Sequence, residues 1–396
     1  MALRGRGPGR KLAAARLISA VGTCAADIAI AYALYQRTHS AYWVSVLYLF
    51  TFGVNGLVAP FFGAIADRYE RRILMVVSDL VGAALYVALI FAHTPAIVVA
   101  LAFAASLAAV PHGTAGSAAV PNLVDEADLN WANSLMSTFG WGGRLAGFGI
   151  GGALVAATNV ETVLILNAVS FVVSAGLSAS IRLAFGEERS PEEKTRARDG
   201  FRFVLADPLL RVLVATWAIL FFAVDIVTVG NPELAQIFHT GSTGFGLLEA
   251  MFAAGSLVGA FAGRWIRDEW QRRILLLDSL ALAIGQGIVA VSPWFGLALL
   301  AILVSASADS LAEVAGNSLI QRSTQDSIRG RVFGALWATF MAANTVAFVL
   351  GGPLTTWLGA RGIYVVGALA AFVAFAILAR AFARIPETPP PELLAE

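Results

Sequence analysis

Apolar residues along the chain fall into long unbroken runs, each closed by a short cluster of charge, proline or glycine, rather than into the short alternating or amphipathic patterns of a water-soluble fold. Twelve runs stand out, at 14–36, 42–66, 73–92, 95–119, 131–157, 160–182, 209–230, 242–266, 273–291, 295–319, 332–357 and 361–382. A hydrocarbon layer about 30 Å thick takes about 20 residues of helix. Each run is therefore predicted to be one transmembrane span. The longest polar interval follows span 6 and holds EERSPEEKTRARD. Its mixed charge reads as a solvated connector, or as a regulatory or partner-binding segment. The predicted organisation is an N-terminal arm at 1–13, a six-helix bundle at 14–182, a linker at 183–208, a second six-helix bundle at 209–382 and a tail at 383–396.

Composition agrees with lipid as the solvent. Of 396 residues, 58% are hydrophobic and 13% charged, with a mean hydropathy of +0.76, whereas soluble domains carry about 25% charged residues. The 38 glycines suit close helix contact in a bilayer. The single cysteine, Cys24, excludes an intramolecular disulfide framework. A basic N-terminus precedes the first run as in a signal peptide, but that run contains Asp27 and no convincing cleavage site, so an uncleaved first helix is predicted.

The net charge of +1 means little until the charges are placed. All 27 lysines and arginines except Arg37, Arg144 and Arg361 fall in or beside the N-terminal arm, the even-numbered loops and the C-terminus. The positive-inside rule then puts both termini in the cytoplasm. The expected location is a membrane that the chain crosses many times, with both termini on its cytoplasmic side.

The halves repeat each other. AADIA at 25–29 is echoed by AVDIV at 223–227, ERRILMVVSDL at 70–80 by QRRILLLDSL at 271–280, and GGAL at 151–154 by GGPL at 351–354. Gly63 and Arg68 answer to Gly259 and Arg264. Two same-orientation halves around a midplane path form a transporter pattern.

Between spans 2 and 3 stands GAIADRYERR, residues 63–72. Arg71 and Arg72 serve either as topology determinants or in a gate. Gly63, Asp67, Arg68, Arg71 and Arg72, with Asp79 two turns into span 3 and Arg264 in the other half, are the candidate conformational gate. A charge network buried in one state and hydrated in the other shifts its energy between them. The sequence resembles the major facilitator superfamily, whose loop 2–3 signature runs Gly, three residues, Asp, Arg, two residues and two basic residues. Within it, PNLVDEADLNWANSL from Pro121 and the glycine-rich fifth span resemble the bacterial macrolide-efflux and enterobactin-exporter branch. Glu70 stands where the signature often has Gly, and Gly263 replaces the acid that would match Asp67. In GWGGRLAGFGIGG at 140–152, Phe148 replaces the Pro of the exporter motif.

Ionisable groups within a span cost roughly 2.5–3.5 kcal/mol each on insertion scales and call for a cavity or a partner. Asp27, Arg144, Asp225, Glu249, Asp309 and Glu313 lie within spans. Asp27 is predicted near the midplane, either handling a proton or cationic substrate or resting in hydrogen bonds to Ser or Thr. Asp225 repeats it. Arg144 either pairs with an acid, with Asp27 the suggested mate, or faces substrate as a fixed cation. Asp309 and Glu313 share a helix face, Glu313 also suiting a gate, and a solvated vestibule also accounts for Glu249. His112 and Trp217 complete the candidates, against the alternatives of a hydroxyl-satisfied imidazole and a core indole. In the resembled family, helices 1, 4, 7 and 10 line the pathway, which adds weight to Asp27, Asp225 and Asp309.

No GxxxxGK[ST] phosphate loop, zinc cluster or nucleic-acid patch is legible, and only two lysines occur. The expectation is a non-enzymatic monomer without a cofactor that exports a small amphiphilic or hydrophobic molecule in exchange for protons, surrounded by membrane lipid. Import or lysolipid translocation by the same fold, and a non-transporting sensor or assembly partner, are the alternatives.

Overall fold

The computed structural model describes residues 6–54, 69–125, 128–181, 197–324 and 326–384. Gly63, Asp67 and Arg68 lie outside the described residues, as does the polar part of the linker at 182–196. Regular structure among the described residues is helical.

Helix α1 runs Arg6–Thr38, α2 Ala41–Tyr48 with a π-helical continuation Leu49–Val54, α3 Arg71–Ile90, α4 Pro95–Leu123, α5 Leu129–Ala157 and α6 Val160–Ala179. Then come α7 Ala197–Ala206, α8 Pro208–Thr228, α9 Asn231–Ile237, α10 Gly241–Ala262, α11 Gln271–Val291, α12 Phe295–Ser323 and α13 Asp326–Phe382. Local chemistry sets several starts. Asp207 accepts the N–H groups of Leu209 and Leu210 at 2.8 and 3.0 Å, with Pro208 following it, and Asn159 accepts Thr162 N–H at 2.8 Å; each meets donors that a helix start leaves open.

Nine stretches among the described residues are long and apolar enough to cross a membrane. The last, Val332–Phe382, has 51 residues, which at 1.5 Å per residue is more than two membrane thicknesses. It breaks at Gly359 (φ 74°, ψ 171°), a conformation that glycine adopts without the Cβ clash of other residues. The break falls between predicted spans 11 and 12.

Two predicted boundaries change. The arm at 1–13 is helical from Arg6, because Leu12 and Ala13 are buried with Met75, Ala119 and Val124 and Arg6 pairs with Asp128 at 3.0 Å. The linker at 183–208 contains α7, which docks Val204 against Leu209, Leu210 and the α13 core.

Packing sorts most helices into two sets. In the first, α1 lies against α5 and α6, and α3 against α4 and α6. In the second, α8 and α11 pack on α13, while α12 packs on α10 and α11. The sets meet where α5 crosses α10 and where α2 with its π-turn crosses α13. Small residues permit the first crossing: a Cβ on Gly152 would strike Ser242 O, and one on Gly246 would lie 2.5 Å from Phe148 O. At the second, Ser45 Oγ donates to Phe348 O and accepts Gly352 N–H at 2.8 Å. Ser45 and Ser242 stand near the starts of α2 and α10, at the end of the molecule opposite Arg71, Arg72 and Arg264. At the end bearing Ser45 and Ser242 the two sets touch through these crossings.

Candidate functional site

A cavity of about 200 Å³ lies within the first set of helices, with α1, α2, α3, α4 and α6 all contributing to its wall. Asp27 supplies its one ionisable acid; Tyr48, Phe52, Tyr86 and Phe171 supply rings, and Thr51 and Ser106 hydroxyls. Tyr86 and Phe171 stack with centroids 5.5 Å apart. Thr51 and Ser106 each donate at 2.8 Å to a carbonyl of their own helix. Among the described residues, the Asp27 carboxylate has neither a hydrogen-bond donor nor an ion-pair partner within contact distance. The predicted satisfaction by Ser or Thr is absent there.

Arg144 of α5 is near enough for its charge to act on Asp27 and on Glu249 of α10. It makes no ion pair with an acid within the described residues; its guanidinium lies over Trp141 at 5.3 Å and Phe148 at 5.9 Å. The suggested Asp27–Arg144 pair is thus a longer-range interaction. Glu249 accepts from Asn231 Nδ2 at 2.8 Å, and Asn231 Oδ1 accepts from Tyr364 at 2.6 Å. This chain of contacts ties α10 to α9 and to the last limb of α13.

The second set carries a separate acidic group. Asp225 accepts from Asn344 Nδ2 at 2.8 Å. Asp309 senses the charges of Glu313 and Asp225, and also faces Asp278 of α11. Asp278 is 2% exposed, and its Oδ1 has no partner among the described residues. The sequence candidates did not include Asp278, which stands two places earlier in QRRILLLDSL than Asp79 does in ERRILMVVSDL. Asn231, Asn344 and Tyr364 had no charge to single them out.

Asp79 is 1% exposed, with Oδ1 2.9 Å from His112 Nδ1. Two sequence candidates from separate roles thus form one α3–α4 contact. Arg72 pairs with Glu70 at 3.0 Å and donates to Ile181 O at 3.4 Å. Arg264 lies over Phe261 and Trp265, at 3.5 and 4.2 Å from their ring centres. Trp217 is 7% exposed and packs edge-on to Phe340, so its environment is core. The two outlying arginines are tethered as well: Arg37 donates to Ala92 O at 3.2 Å, and Arg361 to Ala290 O and Ser292 O at 3.3 and 2.9 Å. Outside the spans, Glu233 of α9 accepts Ala360 N–H at 3.3 Å; burial raises its pKa above the usual glutamate value, and the hydrogen bond opposes that rise. No group of His, Cys, Asp and Glu suited to a metal ion occurs among the described residues.

Long apolar helices in two packed sets, with carboxylates buried among them, define a multi-spanning membrane protein. The Major Facilitator Superfamily profile matches residues 12–229 and 218–396, and the chain belongs to that family of secondary transporters. It is 25% identical to the MFS-type transporter YfiS of Bacillus subtilis (strain 168), over 88% of this chain and 87% of that one. It is 25% identical to the enterobactin exporter EntS of Salmonella choleraesuis (strain SC-B67), covering 87% and 84% of the two chains. A bacterial homologue of the iron transporter ferroportin, solved in an inward-facing state, superposes with a TM-score of 0.77 at 18% identity over 95% of this chain and 99% of that one.

Proposed function

We propose that the protein is a proton-coupled exporter of a small amphiphilic molecule, working by alternating access between two six-helix bundles, 14–182 and 209–382. On this reading twelve helices cross a bacterial inner membrane, both termini and the arginine-rich end face the cytoplasm, and the closed α5–α10 and α2–α13 crossings form the outer gate. GAIADRYERR belongs to the inner gate, with Gly63, Asp67 and Arg68 beside Arg71, Arg72 and Asp79. The observation that carries the reading is the Asp27 carboxylate, unpartnered among the described residues in an apolar cavity. A carboxyl in oil favours its proton and releases it when water arrives, so a cavity whose exposure alternates turns Asp27 into an exchange point between proton and substrate. Asp225, Asp309 and Glu313 supply further proton positions in the second half, and the resemblance to an exporter favours outward direction.

Sealed vesicles of known orientation test this. With a pH gradient imposed in either direction and labelled amphiphiles present, wild type is expected to move substrate against the proton flow. Asp27→Asn is expected to lose gradient-driven flux with folding retained. Unchanged coupled flux in that variant removes Asp27 from the proton role, and no substrate movement with any gradient overturns the transport reading.

A further inference from the structure

We infer that the cavity beside Asp27 recognises the cationic head of an amphiphile, an organic ammonium held between the carboxylate and the aromatic wall. The inference rests on the export reading for its biological meaning, but the chemistry stands on the cavity itself. None of the thirteen lining residues is Lys, Arg or His. The hydroxyls of Thr51 and Ser106 are engaged with their own helices, so the carboxylate remains available to a ligand. An anion there meets the like charge of the ionised carboxylate, whereas a neutral head leaves it without a counterion in contact. A cation satisfies it.

The rings favour the same class. Tyr86 and Phe171 stack, while Tyr48 and Phe52 lie 5.6 Å apart at 51°. Aromatic faces carry negative charge density and attract ammonium groups, most strongly when water is excluded. A quaternary or alkylated ammonium, weakly hydrated and apolar at its edge, fits this wall better than a strongly hydrated small ion. The volume of about 200 Å³ is below the roughly 300–1,000 Å³ of drug-sized pockets, so it takes a head group and leaves the remaining body of an amphiphile outside.

Arg144 acts on the same carboxylate but is absent from the lining. Glu249 senses it too. With Asp27 and Glu249 ionised and Arg144 charged, the three sum to one negative charge, which an ammonium neutralises. Tyr48 also lies 5.7 Å from Phe348 of α13. Occupation of the cavity therefore touches the helix pair that closes the opposite end.

The test is equilibrium binding to purified full-length protein in lipid nanodiscs, with no gradient. The probes are benzyltrimethylammonium, its neutral carbon isostere neopentylbenzene, and benzenesulfonate as an aromatic anion. The ammonium is expected to bind at least about tenfold more tightly than the isostere, and the anion least tightly. Asp27→Asn is expected to abolish the ammonium preference while the isostere still binds. Arg144→Gln, which leaves the lining intact, is expected to tighten ammonium binding, and gives a second readout should Asp27→Asn fold poorly. Equal binding of ammonium and isostere, or a preference for the anion, overturns the inference. Because no transport is measured, that result leaves the export reading standing, and loss of vesicle flux with the ammonium preference intact overturns the export reading alone.

Discussion

Ser45 and Gly352 join the two halves of the molecule: the Gly352 N–H donates to Ser45 Oγ at 2.8 Å while the same hydroxyl donates to Phe348 O. The hydroxyl thus bridges a donor and an acceptor one turn apart on α13. Ser45→Ala leaves the buried Gly352 N–H without this partner, at a cost of about 1–3 kcal/mol in the closed arrangement. The expected result is a shift towards separation of α2 from α13 by about 5- to 150-fold. Spin labels placed near the starts of α2 and α10 read it, and the one native cysteine, Cys24, is buried and adds little background. An unchanged distance distribution removes Ser45 from the gate.

Gly152 and Gly246 make the α5–α10 crossing possible. Gly152→Leu is expected to hold α5 and α10 apart, because even a Cβ would collide with Ser242 O. Flux should fall to the level of empty vesicles, with the protein still helical and monodisperse. Gly142→Ala is the matched comparison, since a Cβ there meets nothing within 4 Å, and it is expected to transport normally. Normal flux in Gly152→Leu contradicts the gate assignment.

Trp217 separates packing from recognition. Its indole is buried against Gly316 and Phe340, so Trp217→Ala is expected to cost about 3–5 kcal/mol and to lower the unfolding temperature in detergent. The ammonium preference should persist in the folded fraction. Its loss without a drop in unfolding temperature would assign the indole to the substrate path.

Glu233 gives a pH signature outside the bilayer. Its folded pKa is raised by burial despite the hydrogen bond from Ala360. Folding therefore favours the protonated form. The associated stability is fully present below the unfolded glutamate pKa and is lost as pH rises through the folded one. Glu233→Gln is expected to flatten the thermal stability profile over that acidic range, as measured by unfolding scans at stepped pH.

The long apolar helices were legible because lipid demands long apolar runs, and a pattern that simple survives in single-residue reading. Gly359 had only the short Leu358-Gly359-Ala360 gap before Arg361 to mark it, yet it is where α13 breaks. The helical start at Arg6 was hidden by its charge, which is paired with Asp128 across sequence. Charged candidates announced themselves by insertion cost, but their partners did not. His112 beside Asp79 and Asn344 on Asp225 are consequences of helix rotation and crossing, whereas Trp141 and Phe148 flank Arg144 at helical spacing on α5. Hydropathy does not encode those angles. The aromatic wall around Asp27 was invisible for the same reason, because α2 with its π-helical continuation, α3 and α6 together supply its rings.

Arg37 and Arg361 were the outliers of the charge pattern, and each is bound to carbonyls within its own half. They fasten neighbouring helix ends like rivets across staves. Under the proposed transport cycle, those fastened ends are expected to swing as whole blocks rather than bend stave by stave.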